Sequence, residues 1–167
     1  MVDPSSAPAL DRSGELLSDG RARKERSTFR LEYRVSIAIE APPDAVFRLL
    51  SDADGFARWN STVESVEGRI AAGETIRLRA KVAPDRVFKL KVAELEAPRR
   101  MVWADGFFPM FRGVRTYTLT PEAAGTVFAM VEVFQGLMLP MIAGSLPDFG
   151  PPFEDFAADL KKAAEAG

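Results

Sequence analysis

Between residues 35 and 60 the chain changes its period. Val35, Ile37 and Ile39 alternate with Ser36, Ala38 and Glu40, the two-residue repeat of a strand with one buried face. From Pro42 the repeat lengthens. Ala45, Val46, Leu49 and Leu50 fall three and four residues apart on one helical face, and Pro42 and Pro43 suit a first helical turn, where the N–H that proline lacks would have no partner anyway. Asp52, Asp54 and Gly55 break that helix, and Phe56 and Trp59 follow as a second short apolar pair, with Asn60 placed to cap a turn.

From there to about residue 135 the pattern reads as strand. A short strand is expected near residues 63–67. Over residues 75–82, Ile76, Leu78, Ala80 and Val82 oppose Arg77, Arg79 and Lys81, and after an Ala83-Pro84-Asp85 turn Phe88, Leu90 and Val92 oppose Lys89 and Lys91. Charge on one face and carbon on the other mean that one face of this sheet meets water. Residues 97–99 turn the chain into a strand over 100–105 that carries Met101 and Trp103 on one face. A further strand carries Arg115, Tyr117 and Leu119. The last, over 126–135, is apolar on both sides, with Phe128, Met130, Glu132 and Phe134 on one and Val127, Ala129, Val131 and Val133 on the other. Such a strand is expected to be covered twice or to lie at a homodimer contact. Beyond it, Leu137, Met138, Leu139, Met141, Ile142 and Leu146 form an apolar segment interrupted by Pro140. A Pro-rich break over 147–152 precedes a helix from about Phe153, whose apolar positions Phe153, Phe156, Ala157, Leu160 and Ala164 recur at helical spacing.

This order of elements resembles the START-like, or Bet v 1-like, superfamily that includes the polyketide cyclase/dehydrase family. The resemblance rests on Ala41, Pro42, Val46, Leu50, Asp52, Trp59 and Asn60, on Gly125-Thr126 followed by Glu132, Phe134 and Gly136, and on the amphipathic C-terminal helix. It implies an α+β helix-grip fold. A curved antiparallel sheet of about seven strands would wrap around the C-terminal helix, with two short helices after the first strand and a cavity between sheet and helix. It does not imply one reaction.

Composition narrows the chemistry. The 167 residues contain neither Cys nor His, which removes disulfides, thiolates, and the commonest general base and metal ligand. No metal site and no cofactor are expected. A net charge of -2 gives no footprint for nucleic acid, and no stretch reaches the ~20 apolar residues of a membrane span, so a cytoplasmic protein is the default. Residues 1–29 are rich in Ser, Pro, Gly and charge and are expected to form a mobile tail, with the domain at 30–167.

What remains is a small set of polar residues on apolar faces. Arg115 and Glu132 fall opposite one another if the last hairpin pivots between Pro121 and Gly125, as a cross-strand ion pair. Either charge alone would be costly to bury. The pair would stitch two strands, or it would face the cavity and orient a ligand's polar group. With Tyr117 it also forms the candidate catalytic set, a carboxylate being able to serve as acid or base. Residues 106–112, GFFPMFR, are the least polar connection in the chain. They either fold back to plug the core or rim an apolar cavity, and exposed apolar loops mark binding surfaces.

The leading expectation is a binding protein for a small hydrophobic molecule, lipid-like, aromatic or polyketide-like. The expected wall is Trp59, Leu78, Phe88, Trp103, Phe107, Phe108, Phe111, Arg115, Tyr117, Met130, Glu132, Phe134, Met138, Met141, Phe149 and Phe153. A cyclase or dehydratase using Glu132 and Arg115 is one alternative. The other is an interaction module that meets a protein or membrane through residues 106–112.

Overall fold

The computed structural model describes residues 18–167, and its secondary structure is organised by one sheet. Eight antiparallel strands stand in the order β1-β2-β8-β7-β6-β5-β4-β3. They are β1 (Arg23–Arg26), β2 (Arg30–Ile39), β3 (Val63–Glu67), β4 (Thr75–Ala80), β5 (Phe88–Glu96), β6 (Arg100–Phe107), β7 (Phe111–Glu122) and β8 (Gly125–Gln135). Helices α1 (Pro43–Ser51) and α2 (Phe56–Trp59) link β2 to β3. After β8 come α3 (Leu139–Ile142), a 3₁₀ turn (Ala143–Ser145) and α4 (Gly150–Ala166). This is the helix-grip fold.

The alternating residues take the sides their pattern requires. Leu31, Tyr33, Val35 and Ile39 of β2 enter one core with Met101, Trp103, Tyr117, Leu119, Phe128 and Met130 of the strands across the sheet. Against them α4 sets Phe153, Phe156, Ala157, Leu160 and Ala164, all buried. Phe156 is the hinge of an aromatic stack, with ring centroids 5.9 Å from both Phe128 and Tyr117 and 6.1 Å from Phe56, distances at which aromatic pairs attract beyond their buried area. At its far end α4 is tied down by polar contacts: Asp159 accepts from the Ser61 backbone N–H at 2.8 Å and its hydroxyl at 2.6 Å. β8 is buried on both faces, Phe128 and Met130 on one and Val127 and Val131 on the other.

Three expectations are corrected. Arg23–Arg26 pairs with β2 in register Arg23↔Arg34 through Arg26↔Leu31 where a mobile tail was expected, which adds an eighth strand to a sheet of about seven. These four charged side chains carry no alternation to read, and the edge strand is held by backbone pairing. The remainder of that expectation, residues 1–17, lies outside the described residues. Residues 106–112 do not fold back to plug the core: Phe111 lines the cavity, while Phe107 and Phe108 stand exposed. They extend the β6–β7 ladder to Gly106↔Arg112 and Phe107↔Phe111, since Phe suits a pleated surface. The apolar segment around Pro140 holds the short helix α3, with Pro140 in its first turn, and α4 begins at Gly150 rather than near Phe153, so that Pro151 and Pro152 lie in its first turn where proline is tolerated.

Candidate functional site

The concave face of the sheet and α4 do not meet along their whole length, and the gap is a cavity of about 420 Å³. Its wall is mostly carbon. Leu78, Phe88, Leu90 and Trp103 come from β4 to β6, Phe111, Met130 and Phe134 from β7 and β8, and Phe149, Phe153 and Phe156 from the C-terminal region. The strap formed by α3 and the 3₁₀ turn closes one side with Ile142, Ser145 and Leu146.

Pairing register puts the polar groups in one row. Trp103 stands opposite Arg115, and Arg115 opposite Glu132. Arg115 Nε donates to Glu132 Oε2 at 2.5 Å, their side chains 20% and 13% exposed, and the guanidinium carbon lies 5.1 Å from the Phe153 ring centroid. Burial disfavours the Arg115 cation, but the neighbouring Glu132 carboxylate outweighs this and holds its pKa above the ordinary value. Arg115 is therefore a fixed positive charge, satisfied on one edge by Glu132 and stacked over an aromatic face. Asp105 lies two residues beyond Trp103, opposite Gly113, and also lines the cavity.

Two more polar atoms lack partners. Trp103 Nε1 and Tyr117 Oη are buried and accept or donate no hydrogen bond among the described residues. The rings meet edge to face, 5.1 Å apart. Burial pushes the Tyr117 phenol up to about 12, and the Arg115 guanidinium offsets this in part by attracting the phenolate, although it is not placed to hydrogen-bond the phenol. A buried donor without an acceptor costs about 1–3 kcal/mol. Trp103 is on the cavity wall through its ring carbons, while its Nε1 is shielded from the cavity.

Of the residues expected to line the cavity, Leu78, Phe88, Trp103, Phe111, Arg115, Met130, Glu132, Phe134, Phe149 and Phe153 are brought together. Trp59 is not. It packs 4.9 Å from Phe56 and 5.3 Å from Phe156, and its Nε1 donates to the Leu49 carbonyl at 3.3 Å. Tyr117 lies behind the wall, beneath Trp103. Phe107, Phe108, Met138 and Met141 point outward, 68%, 66%, 36% and 80% exposed, because the hairpin end and the strap present their other faces to the cavity. Asp105 was missed, although its two-residue offset from Trp103 placed it on the same strand face. Ile142 and Leu146 line the cavity because the strap folds across it, and Pro152 and Phe156 line it from α4.

Among the described residues no group of three or more acidic side chains could hold a metal ion, and no helix is long and apolar enough to cross a membrane.

Comparison with known proteins agrees with this architecture. A family model described as polyketide cyclase / dehydrase and lipid transport matches residues 30–167. Among solved structures, protein MLL2253 from Mesorhizobium loti is similar with a TM-score of 0.63 at 19% identity, over 81% of this chain and 97% of that one. Protein CV1439 from Chromobacterium violaceum gives 0.59 at 20% identity, over 80% and 97%. The di-domain ARO/CYC BexL from the BE-7585A biosynthetic pathway gives 0.64 at 14% identity, over 85% of this chain and 52% of that one. At these identities the likeness is one of fold. No curated protein matches the sequence significantly.

Proposed function

We propose that the chain, which belongs to the polyketide cyclase/dehydrase and lipid transport family through residues 30–167, binds a small, mainly apolar molecule that carries at least one acceptor oxygen. The carrying observation is the cavity of about 420 Å³, walled mostly by carbon, with the row Trp103, Arg115 and Glu132, the neighbouring Asp105, and Thr62, Arg86 and Ser145 as its polar members. That volume lies within the ~300–1,000 Å³ of small-molecule sites, which are apolar with a few placed polar groups. The apolar wall would supply most of the affinity by excluding water. The Arg115 guanidinium would orient a carbonyl, hydroxyl or similar oxygen, and Glu132 would hold the guanidinium in place. A fused aromatic phenol, a polyketide-like ring or a long-chain acid or alcohol has the required division into carbon and oxygen.

The test is native mass spectrometry of freshly isolated protein, followed by displacement of an apolar fluorescent probe with long-chain fatty acids and fused-ring phenols. One of these classes is expected to displace the probe. Ala80→Phe, which puts a ring into the cavity, should abolish probe binding, and Arg115→Lys, which keeps the charge but loses the guanidinium's further donors, should weaken an oxygen-bearing ligand about tenfold, the worth of one hydrogen bond. No bound mass, together with probe binding that Ala80→Phe leaves intact, would overturn the proposal. Turnover of an aromatic ketide probe that disappears in Glu132→Gln would extend it to acid–base catalysis.

A further inference from the structure

Every exposed large apolar side chain among the described residues, except Val87, lies on one of three stretches. Residues 26–30 carry Phe29, residues 106–112 carry Phe107, Phe108 and Met110, and residues 136–147 carry Leu137, Met138 and Met141. The fold ties the three into one surface. Gly136 N–H donates to the Phe29 carbonyl at 3.1 Å, Leu137 N–H to the Pro109 carbonyl at 2.9 Å, and Met138 N–H to the Met110 carbonyl at 3.0 Å. Seven exposed apolar residues gathered at one end of a sheet are not the scatter expected of a solvated surface, but the mark of a contact site.

Charge selects the partner. The three stretches contain no Asp or Glu and carry Arg26, Arg30 and Arg112. Arg30 and Arg112 both stand opposite Gln135 in register, one on either side, at the base of the apolar tip. Arg26 is exposed on the neighbouring edge strand, and neither it nor Arg112 forms an ion pair among the described residues. Outward aromatic and aliphatic side chains collared by Arg match a bilayer with anionic headgroups: carbon enters the acyl boundary while guanidinium groups stay at the phosphates. Glu25, Asp105 and Asp148 flank the three stretches, so the cationic tip sits within a mixed-charge surround, and its arginines would repel one another across a two-fold interface between copies.

We infer that this end of the molecule docks on an anionic lipid surface. Phe107 and Phe108 of the β6–β7 tip and Met141 of the strap enter the membrane, and Arg26 and Arg112 contact the headgroups. The strap joins this surface to the cavity, because Met141 points outward and Ile142 and Leu146 line the interior. Docking therefore brings the cavity wall against lipid. The inference stands on the exposed patch and is independent of what the cavity holds.

Sedimentation with vesicles of phosphatidylcholine, with and without phosphatidylglycerol, tests it. The chain should pellet with the mixed vesicles and release as salt rises, since the arginine contribution is screened. Phe107→Ser/Phe108→Ser should lower the partition coefficient about tenfold or more, the loss expected from two apolar side chains, and Arg26→Ala/Arg112→Ala should remove the preference for phosphatidylglycerol. Both substituted phenylalanines are exposed, so a thermal midpoint equal to that of the parent chain should accompany the loss. Met141→Ser provides a second variant should the first fail to fold. The proposal is overturned by a chain that pellets with neither vesicle or by variants that pellet unchanged. Solution mass that rises with concentration and falls in Phe107→Ser/Phe108→Ser, without vesicle binding, would assign the patch to a second copy of the chain instead.

Discussion

Tyr117 and Trp103 share one physical situation and differ in where each stands relative to the cavity. Each ring is 1% exposed and each buries a polar atom with no partner, so each costs the fold the desolvation of one donor. Trp103 lines the cavity with ring carbon, its Nε1 shielded from it, whereas Tyr117 lies behind the wall. Tyr117→Phe keeps the ring contacts with Trp103, Phe128 and Phe156 and removes only the hydroxyl. It should leave stability unchanged or raise it by about 1 kcal/mol, read as a urea midpoint. The pH dependence has a definite sign. The phenol's pKa is raised from 10.0 to about 12, so the folded state keeps a proton that the unfolded state loses. The associated stability is full below pH 10.0 and fades as pH rises toward about 12. The alkaline decline should be smaller in Tyr117→Phe. A loss of about 1 kcal/mol or more at neutral pH would mean that the hydroxyl has a partner.

At the scale of elements the strap and the β6–β7 hairpin depend on one glycine. Gly136 has φ 142, and a Cβ there would lie 2.3 Å from the Met110 carbonyl oxygen and 2.8 Å from Phe111 Cα. These are backbone atoms, so the two segments must separate to admit it. Gly136→Ala should cost about 2 kcal/mol or more and speed amide exchange at Leu137 and Met138, whose N–H groups bridge the segments. Gly73→Ala is the control. Its φ of 84 brings the same class of backbone strain, but nothing lies within 4 Å of the added carbon, so it should cost only about 1 kcal/mol. Equal losses in the two variants would remove the clash from the account. The same comparison explains what could be read from the chain. The strands over Thr75–Ala80 and Phe88–Glu96 were legible because water on one face forces alternation, and Arg115 opposite Glu132 followed from counting back from the turn. Arg23–Arg26 was not, because an edge strand of four charges has no apolar face to announce it. The strap was not legible either. Its residues between Leu137 and Leu146 are apolar on every side, since one side meets the cavity and the other is exposed, and no period distinguishes them.

For the whole molecule the question is which charge governs stability against acid. Asp19, Glu32 and Glu165 all have pKa values held below the ordinary range, but Asp19 and Glu165 sit in solvent, where screening makes such pairs weak. Glu32 differs. Its side chain is 1% exposed, near the start of β2, the strand that pairs with both β1 and β8 and packs against α4. Burial alone would raise its pKa, and hydrogen bonds from Arg34 at 2.7 Å and Arg30 at 2.9 Å reverse that. The lowered pKa means that the folded state resists protonation more than the unfolded one. Its stabilisation is present above pH 4.5, the ordinary value, and is lost as pH falls through the lower folded value. The two guanidinium groups are 35% and 21% exposed, so solvent weakens the interaction, and Glu32→Gln should cost about 1–2 kcal/mol at neutral pH, below the ~3–5 kcal/mol of a fully buried pair. Urea titrations across the acid range should then show the parent chain losing stability faster than Glu32→Gln, the two curves converging below the folded pKa. Parallel curves would place the acid-sensitive charge elsewhere.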